Sequence, residues 1–290
     1  MQTLETAPRP CPLCNYSEIR TFQRCSRTYN NQNFELVLGQ CSRCKFIFLT
    51  NDPRVTYDED YLNLELTITT EDRLTRFKNE ERIAAISKVV PPEGQRRFLD
   101  IGIGDGLLLS IAEKYGYSTF GLDVNPAGVA MARKKYNPRA TITLDPIETA
   151  FADGVFDVIH ANEVIEHISD PMPFLKWCRN HLARNGCLVI QTGNIDSLVS
   201  RIKGREWDYI RPMHVNYFSE ITLRYAIEQS GFAVTRCSTI DWRFLASLQM
   251  MIYLSRHYGL LCGINFLSLY LTTLLTGIRR SVVVYATRTE

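Results

Sequence analysis

The sequence predicts an α/β fold with a mostly parallel sheet and helices on both faces. Strand-like and helix-like segments alternate through residues 51–240, and an apolar run from Arg97 ends in a glycine bend that opens onto a helical pattern. Such alternation needs right-handed crossovers, which lay successive strands parallel. The chain of 290 residues suffices for one large domain, or a medium one with an appendage.

Residues 1–50 carry paired cysteines and little helical periodicity, and residues 71–90 are charged and helical, expected on the sheet's rim. Arg97-Phe-Leu-Asp-Ile-Gly is the first core strand and 107–115 the helix after it. A second strand covers 119–124, and the next helix starts at Pro126, whose fixed φ suits a first helical position. A third strand is expected over 140–144. Buried strands follow at 156–161 and 186–192, with a helix over 173–182 between them. Residues 223–229 are helical with Gly231 as C-cap, 232–240 alternate as a strand, and the Val-rich 281–287 is the last strand.

Hydrophobic residues make up 45% and charged residues 22%, the balance of an ordinary folded domain. A net charge of +2 is too small to require nucleic acid or an anionic membrane as partner. The first residues lack an apolar core, so no secretory signal is expected. The nine cysteines are then read as thiols in the reducing cytoplasm.

The glycine bend holds the sharpest chemistry. Gly102, Gly104 and Gly106 follow a strand and precede a helix, where missing side chains let backbone approach a ligand. The spacing is G-x-G-x-G, and Leu107 stands where the dinucleotide fingerprint has its last glycine, which argues against NAD. Asp123 ends the next strand, where a carboxylate can accept both hydroxyls of a ribose. Together they point to an adenosine-type ligand.

Cys11-Pro-Leu-Cys14 and Cys41-Ser-Arg-Cys44 form a C-x2-C pair of knuckles, the spacing of a closed tetrahedral zinc site. The site is read as structural, through Cys11, Cys14, Cys41 and Cys44. Cys25, Cys178, Cys187, Cys237 and Cys262 stand alone and are read as small apolar residues.

The segments FLDIGIGDG, GLDVN, FDVIHANEVIEHISDP and GCLVIQTGN resemble the class I S-adenosylmethionine (SAM)-dependent methyltransferases, over residues 75–240 and the last strand. The resemblance implies a Rossmann-like seven-stranded sheet with an antiparallel final strand. It implies that Asp100 and the Gly102–Gly106 loop hold the methionine end of SAM and Asp123 the ribose. Asp145 and Ile147 would border the adenine, and Asn162 would lie beneath the sulfonium. Pro146 has no N–H, so any backbone contact to adenine must come from elsewhere. A zinc ribbon before such a core resembles bacterial enzymes that methylate sugars or other small metabolites. In that group a segment like Tyr57-Asp-Glu-Asp-Tyr61 covers the cofactor, which assigns Tyr57 and above all Tyr61 to it.

Methyl transfer usually needs a base for the acceptor, and histidine titrates near neutrality. His167 follows the 156–161 strand, and His214 sits in a loop after the 186–192 strand. Both reach the carboxyl edge, where open α/β sheets bind ligands. They are the candidate catalytic residues, as bases or substrate contacts. His160 is expected in the core, Glu166 as a cap or ion-pair partner, and Trp207 and Tyr217 as core aromatics or pocket walls. His181 lies late in a helix and His257 in the tail.

Residues 258–278 carry no charge, yet Asn265, Ser268, Thr272 and Thr276 line one helical side and leucines the other. A lid or homodimer helix is expected, ahead of peripheral membrane contact; a span would keep 281–287 from the sheet. The organisation read is a zinc-ribbon module (1–50), a linker and cofactor-covering helix (51–96), a SAM-binding core (97–242), an apolar helical insertion (243–280) and a final strand (281–290). The acceptor is expected to be a small molecule, glycan or lipid-like compound, with no nucleic acid partner. The rival readings are an RNA methyltransferase with a zinc knuckle and a non-catalytic zinc-ribbon interaction protein.

Overall fold

The computed structural model describes residues 9–29, 31–51, 73–136, 140–147, 149–238 and 281–289, with scattered positions between 252 and 260. Tyr57 and Tyr61 lie outside the described residues, as does almost all of the apolar stretch 243–280 with its lid, dimer and membrane readings. Among the described residues no helix is long and apolar enough to cross a membrane.

The N-terminal strands are β1 (Ile19–Tyr29), β2 (Gln32–Cys41) and β3 (Ile47–Leu49). Helix α1 (Arg73–Ser87) leads into β4 (Arg97–Ile101), α2 (Leu107–Lys114), β5 (Ser118–Leu122), α3 (Pro126–Tyr136) and β6 (Thr141–Thr143). Then come β7 (Phe156–Asn162), α4 (Pro171–His181), β8 (Leu182–Gly193), α5 (Leu198–Lys203), β9 (Asn216–Tyr217), α6 (Glu220–Gln229), β10 (Phe232–Ser238) and β11 (Ser281–Arg288).

Seven strands make the main sheet in the order β10-β11-β8-β7-β4-β5-β6. Strands β8, β7, β4, β5 and β6 pair in parallel, while β11 runs antiparallel to both β8 and β10. Strand side chains alternate between faces. Phe98, Val158, Val189 and Val283 pack with Ile83, Ile86, Leu109 and Val129 under α1–α3. Leu99, Ile159, Ile190 and Val284 pack with Phe174, Leu175, Leu223 and Ile227 under α4 and α6. The sheet is thus covered on both faces, as the sequence predicts.

Element ends differ from the sequence reading where caps decide them. Helix α4 starts two residues earlier than expected, because the Asp170 side chain accepts from Met172 N at 3.2 Å and Pro171 takes the first turn. Helix α6 starts at Glu220 behind a Ser219–Thr222 capping box. Strand β8 begins at Leu182 rather than 186, paired to Phe156 before a register shift.

The N-terminal strands form a second sheet in the order β1-β2-β3-β9, whose last member comes from the core segment. Phe46 and Phe48 belong to the cluster under α4 and α6, with Phe46 and Phe218 ring centroids 4.9 Å apart. Leu36, Leu38 and Ile47 pack with Trp207, Ile210 and Tyr217. Burial of Trp207 and Tyr217 in that cluster makes them core aromatics, the first of their two readings.

Candidate active site

Three glycines at positive φ turn the chain from β4 into α2, for two different reasons. A Cβ on Gly102 would lie 2.6 Å from Val164 Cγ2, and one on Gly106 2.6 Å from the Ala132 Cβ, so close packing excludes side chains there. A Cβ on Gly104 would meet nothing within 4 Å among the described residues. Among the described residues Gly104 therefore faces open space at the carboxyl edge of the sheet, a cradle where open α/β folds bind ligands.

Asp123 closes this cradle. Its Oδ2 accepts from Gly104 N at 2.9 Å and its Oδ1 from Asn125 N at 2.8 Å, so the carboxylate turns toward the bend. Burial pushes its pKa up, against the pull of those amides. Asp100, at the other side of the bend, is 2% exposed, and its Oδ1 lies 2.7 Å from His160 Nδ1. Asn162, at the end of β7, accepts from Arg82 of α1 at 3.3 Å, and Arg82 also donates to Gln191 Oε1 at 2.9 Å. Asp145 and Ile147 follow β6 on the far side of Asp123. Asp145 is exposed and accepts from Thr143 Oγ1 at 2.6 Å, while Ile147 is half-buried.

One strand over, the chain leaves β7 through Glu163 in a left-handed conformation (φ 54°) and makes a short 3₁₀ turn, Ile165–His167. Non-glycine residues in that region are uncommon and gather at functional sites. Glu166 is fully buried and accepts from Thr192 Oγ1 at 2.9 Å and Tyr209 Oη at 2.5 Å. Among the described residues it neither caps a helix nor forms the expected ion pair; burial pushes its pKa up. Tyr209 Oη also lies 2.8 Å from Glu163 Oε2, and its ring lies where a Cβ on Gly193 would sit 2.3 Å away.

His167 and His214 meet here with ring centroids 4.7 Å apart, edge to face. His167 Nδ1 faces the Met213 carbonyl at 3.2 Å, and His214 Nδ1 faces the Tyr209 carbonyl at 2.8 Å. Carbonyl oxygens only accept, so Nδ1 carries the proton in each ring and Nε2 is the basic nitrogen. Burial, then the neighbouring His167, hold the His214 pKa well below the imidazole range. Glu166, His167 and His214 place one oxygen and two nitrogen ligand atoms within 4.8 Å of one another, a set that also fits a divalent cation.

The four paired cysteines converge separately, against β1–β3. Their sulfurs lie within 4.8 Å of one another, with Cys11–Cys44 at 3.4 Å, Cys14–Cys44 at 3.5 Å and Cys14–Cys41 at 3.6 Å. A disulfide is about 2.05 Å long. A tetrahedron with zinc–sulfur bonds of about 2.3 Å has edges of about 3.8 Å, so the sulfurs fit zinc. Hydrogen bonding from Cys11 pulls the Cys44 thiol down to about 5 and pushes Cys11 up, so the cluster favours a thiolate.

The sequence reading missed Arg82, Tyr209, Thr192 and Gln191. Only Gly193, an unexplained glycine at a strand end, signalled that an aromatic ring lies close. His181 is a helix-end residue bonded to the Trp177 carbonyl at 2.9 Å.

The model of the methyltransferase domain family matches residues 72–236. The chain is 35% identical over 129 residues to a ubiquinone biosynthesis O-methyltransferase of Cereibacter sphaeroides, covering 42% of this chain and 51% of that protein. It is 34% identical over 105 residues to the enzyme of the same description from Bradyrhizobium diazoefficiens, covering 35% and 41%. The chain thus spans about half the length of these curated relatives or less. Among solved structures, a SAM-dependent methyltransferase of Clostridium acetobutylicum superposes with a TM-score of 0.53 at 12% identity, covering 80% of this chain and 98% of that one. The magnesium protoporphyrin IX methyltransferase of Synechocystis with bound S-adenosylhomocysteine (SAH) gives 0.52 at 13% identity, covering 79% and 94%. At such identities these two show the fold alone. With its sheet order and glycine bend, and with the family match over more than half its length, this chain belongs to the methyltransferase domain family, as a class I SAM-dependent member.

Proposed function

We propose that this chain transfers the methyl group of SAM to an oxygen of a small organic acceptor, and that one structural zinc on Cys11, Cys14, Cys41 and Cys44 holds its N-terminal module. One observation carries the reading: the open glycine cradle with Asp100 and Asp123, and the Glu166–His167–His214 group, lie on neighbouring strands at one sheet edge. The relatives named for O-methylation in ubiquinone biosynthesis support an oxygen acceptor.

SAM, when bound, supplies a methyl group already activated by its sulfonium. The backbone around Gly104 would take the aminoacyl end, Asp100 its ammonium and Asp123 the ribose diol through carboxylate lone pairs. Asn162, held by Arg82, would sit under the reacting carbon, and Asp145 with Ile147 would border the adenine. An acceptor hydroxyl held at this edge would receive the methyl group that SAM supplies when bound. His167 or His214 takes the hydroxyl proton on Nε2. Buried polar partners fix both rings, so orientation is set before the acceptor arrives. The same ligand atoms support a second reading, in which a divalent cation holds the acceptor oxygen for attack.

The test incubates the full chain and methyl-labelled SAM with phenols, sugar nucleotides or RNA, with and without a chelator. Label in a small-molecule hydroxyl supports the proposal, and chelator sensitivity selects the cation reading. Label in RNA alone, or calorimetry showing that NAD binds and SAM does not, overturns it.

A further inference from the structure

His160 has more to do than fill the core. It lies in β7 in parallel register with Asp100 of β4, and the two are 1% and 2% exposed. With Nδ1 2.7 Å from Asp100 Oδ1, the ring must donate from Nδ1, because a carboxylate oxygen only accepts. That tautomer leaves the lone pair on Nε2, and Nε2 is buried with no hydrogen-bond partner among the described residues. A half-satisfied imidazole inside a sheet is a net cost that an apolar residue, stacked on Phe98 as this ring is at 6.2 Å, would avoid.

What His160 supplies in return is a fixed Asp100. That carboxylate stands two residues before Gly102, and its charge is felt by Asp123 across the bend. Among the described residues His160 is its hydrogen-bonding side-chain partner. A neutral donor holds one oxygen while leaving the full negative charge in place, whereas Arg or Lys at position 160 would neutralise it. Among the described residues the charged groups facing the ring are Asp100 from β4 and Arg82 from α1.

We propose that His160 is a positioning residue: by donating to one oxygen of Asp100 it locks the carboxylate so that the other oxygen receives the ammonium of the cofactor's aminoacyl end. The inference rests on the cofactor reading above. It predicts that position 160 affects only ligands that carry the aminoacyl group.

The test measures calorimetric affinity for SAH and for 5′-methylthioadenosine, a nucleoside without the aminoacyl end. His160→Leu is expected to weaken SAH binding about tenfold or more while methylthioadenosine binding changes less than about threefold. His160→Asn, which can place an N–H near the Nδ1 position, is expected to recover most SAH affinity, and His160→Gln to recover less. Equal loss of both ligands, or SAH affinity unchanged in the Leu variant, overturns the role of His160 while the cofactor reading stands. Should the Leu variant not fold, the Asn and Gln pair carries the comparison, and equal SAH affinity in those two overturns it. Wild-type protein that binds neither nucleoside overturns the cofactor reading itself.

Discussion

The N–H of Val215 donates to the Glu166 carbonyl at 2.9 Å, while the Val215 carbonyl accepts from Leu49 N at 2.9 Å. Val215 follows His214 and precedes β9, so one residue ties the cysteine-bearing sheet to the turn that carries Glu166 and His167. Backbone pairing and the Phe46–Phe218 contact fasten the N-terminal module to this turn.

That connection makes the cysteine site matter for the histidines. If the proposed zinc is bound, Cys44→Ser is expected to lower it, measured by mass spectrometry, from about one per chain, since structural zinc is folding free energy. Hydrogen exchange should then rise over residues 214–217. Zinc loss without faster exchange there would show that the module does not hold this loop.

Asp123→Ala removes the acceptor for two backbone amides and the proposed ribose contact. SAH affinity is expected to fall by about 10- to 100-fold, and stability by about 1–3 kcal/mol for the orphaned amides. Calorimetry and urea melts separate the two effects.

The two glycines should respond differently. Gly106→Ala forces a Cβ to 2.6 Å from the Ala132 Cβ at φ 79° and is expected to cost about 2–4 kcal/mol in a urea melt. Gly104→Ala meets open space at φ 54°, so its cost is about 1–2 kcal/mol of backbone strain. Its larger effect should be on SAH affinity, because the new methyl occupies the cradle.

His214→Ala or His167→Ala, whichever removes the base, is expected to lower kcat by about 10²–10⁴, the range of a general base. SAH affinity should stay within about threefold of wild type. A variant that loses SAH binding along with turnover would show a structural rather than a catalytic part.

Burial lowers the His160 pKa, with Asp100 opposing and Arg82 adding to the lowering. In the unfolded chain this imidazole takes a proton near pH 6.5. The folded state binds fewer protons below that point, so stability present above about pH 6.5 is lost as pH falls toward the folded pKa. Urea midpoints of the wild type should therefore decline on acidification more steeply than those of His160→Leu.

The glycine bend, Asp123 and the two cysteine knuckles were legible because each is a short run whose spacing already implies its geometry. His167 and His214 could be placed at the carboxyl edge from strand order, but their edge-to-face contact could not. Arg82 reaches Asn162 and Gln191 across 80 and 109 residues, and Tyr209 reaches Glu163 across 46. No local pattern records such contacts, because they depend on how α1 and the loop before β9 dock on the sheet.

The sequence alone determined the alternation that makes a parallel sheet, the bend that opens it and the paired thiols in front, since backbone propensity and nearest-neighbour spacing act before the chain is packed. Only the tertiary structure decided that Asp100 faces a histidine, that Glu166 is buried against a tyrosine and that the N-terminal sheet borrows β9 from the core. Those outcomes depend on which side chains burial brings together. Inside the sheet each polar atom must find a partner or bear the cost of having none.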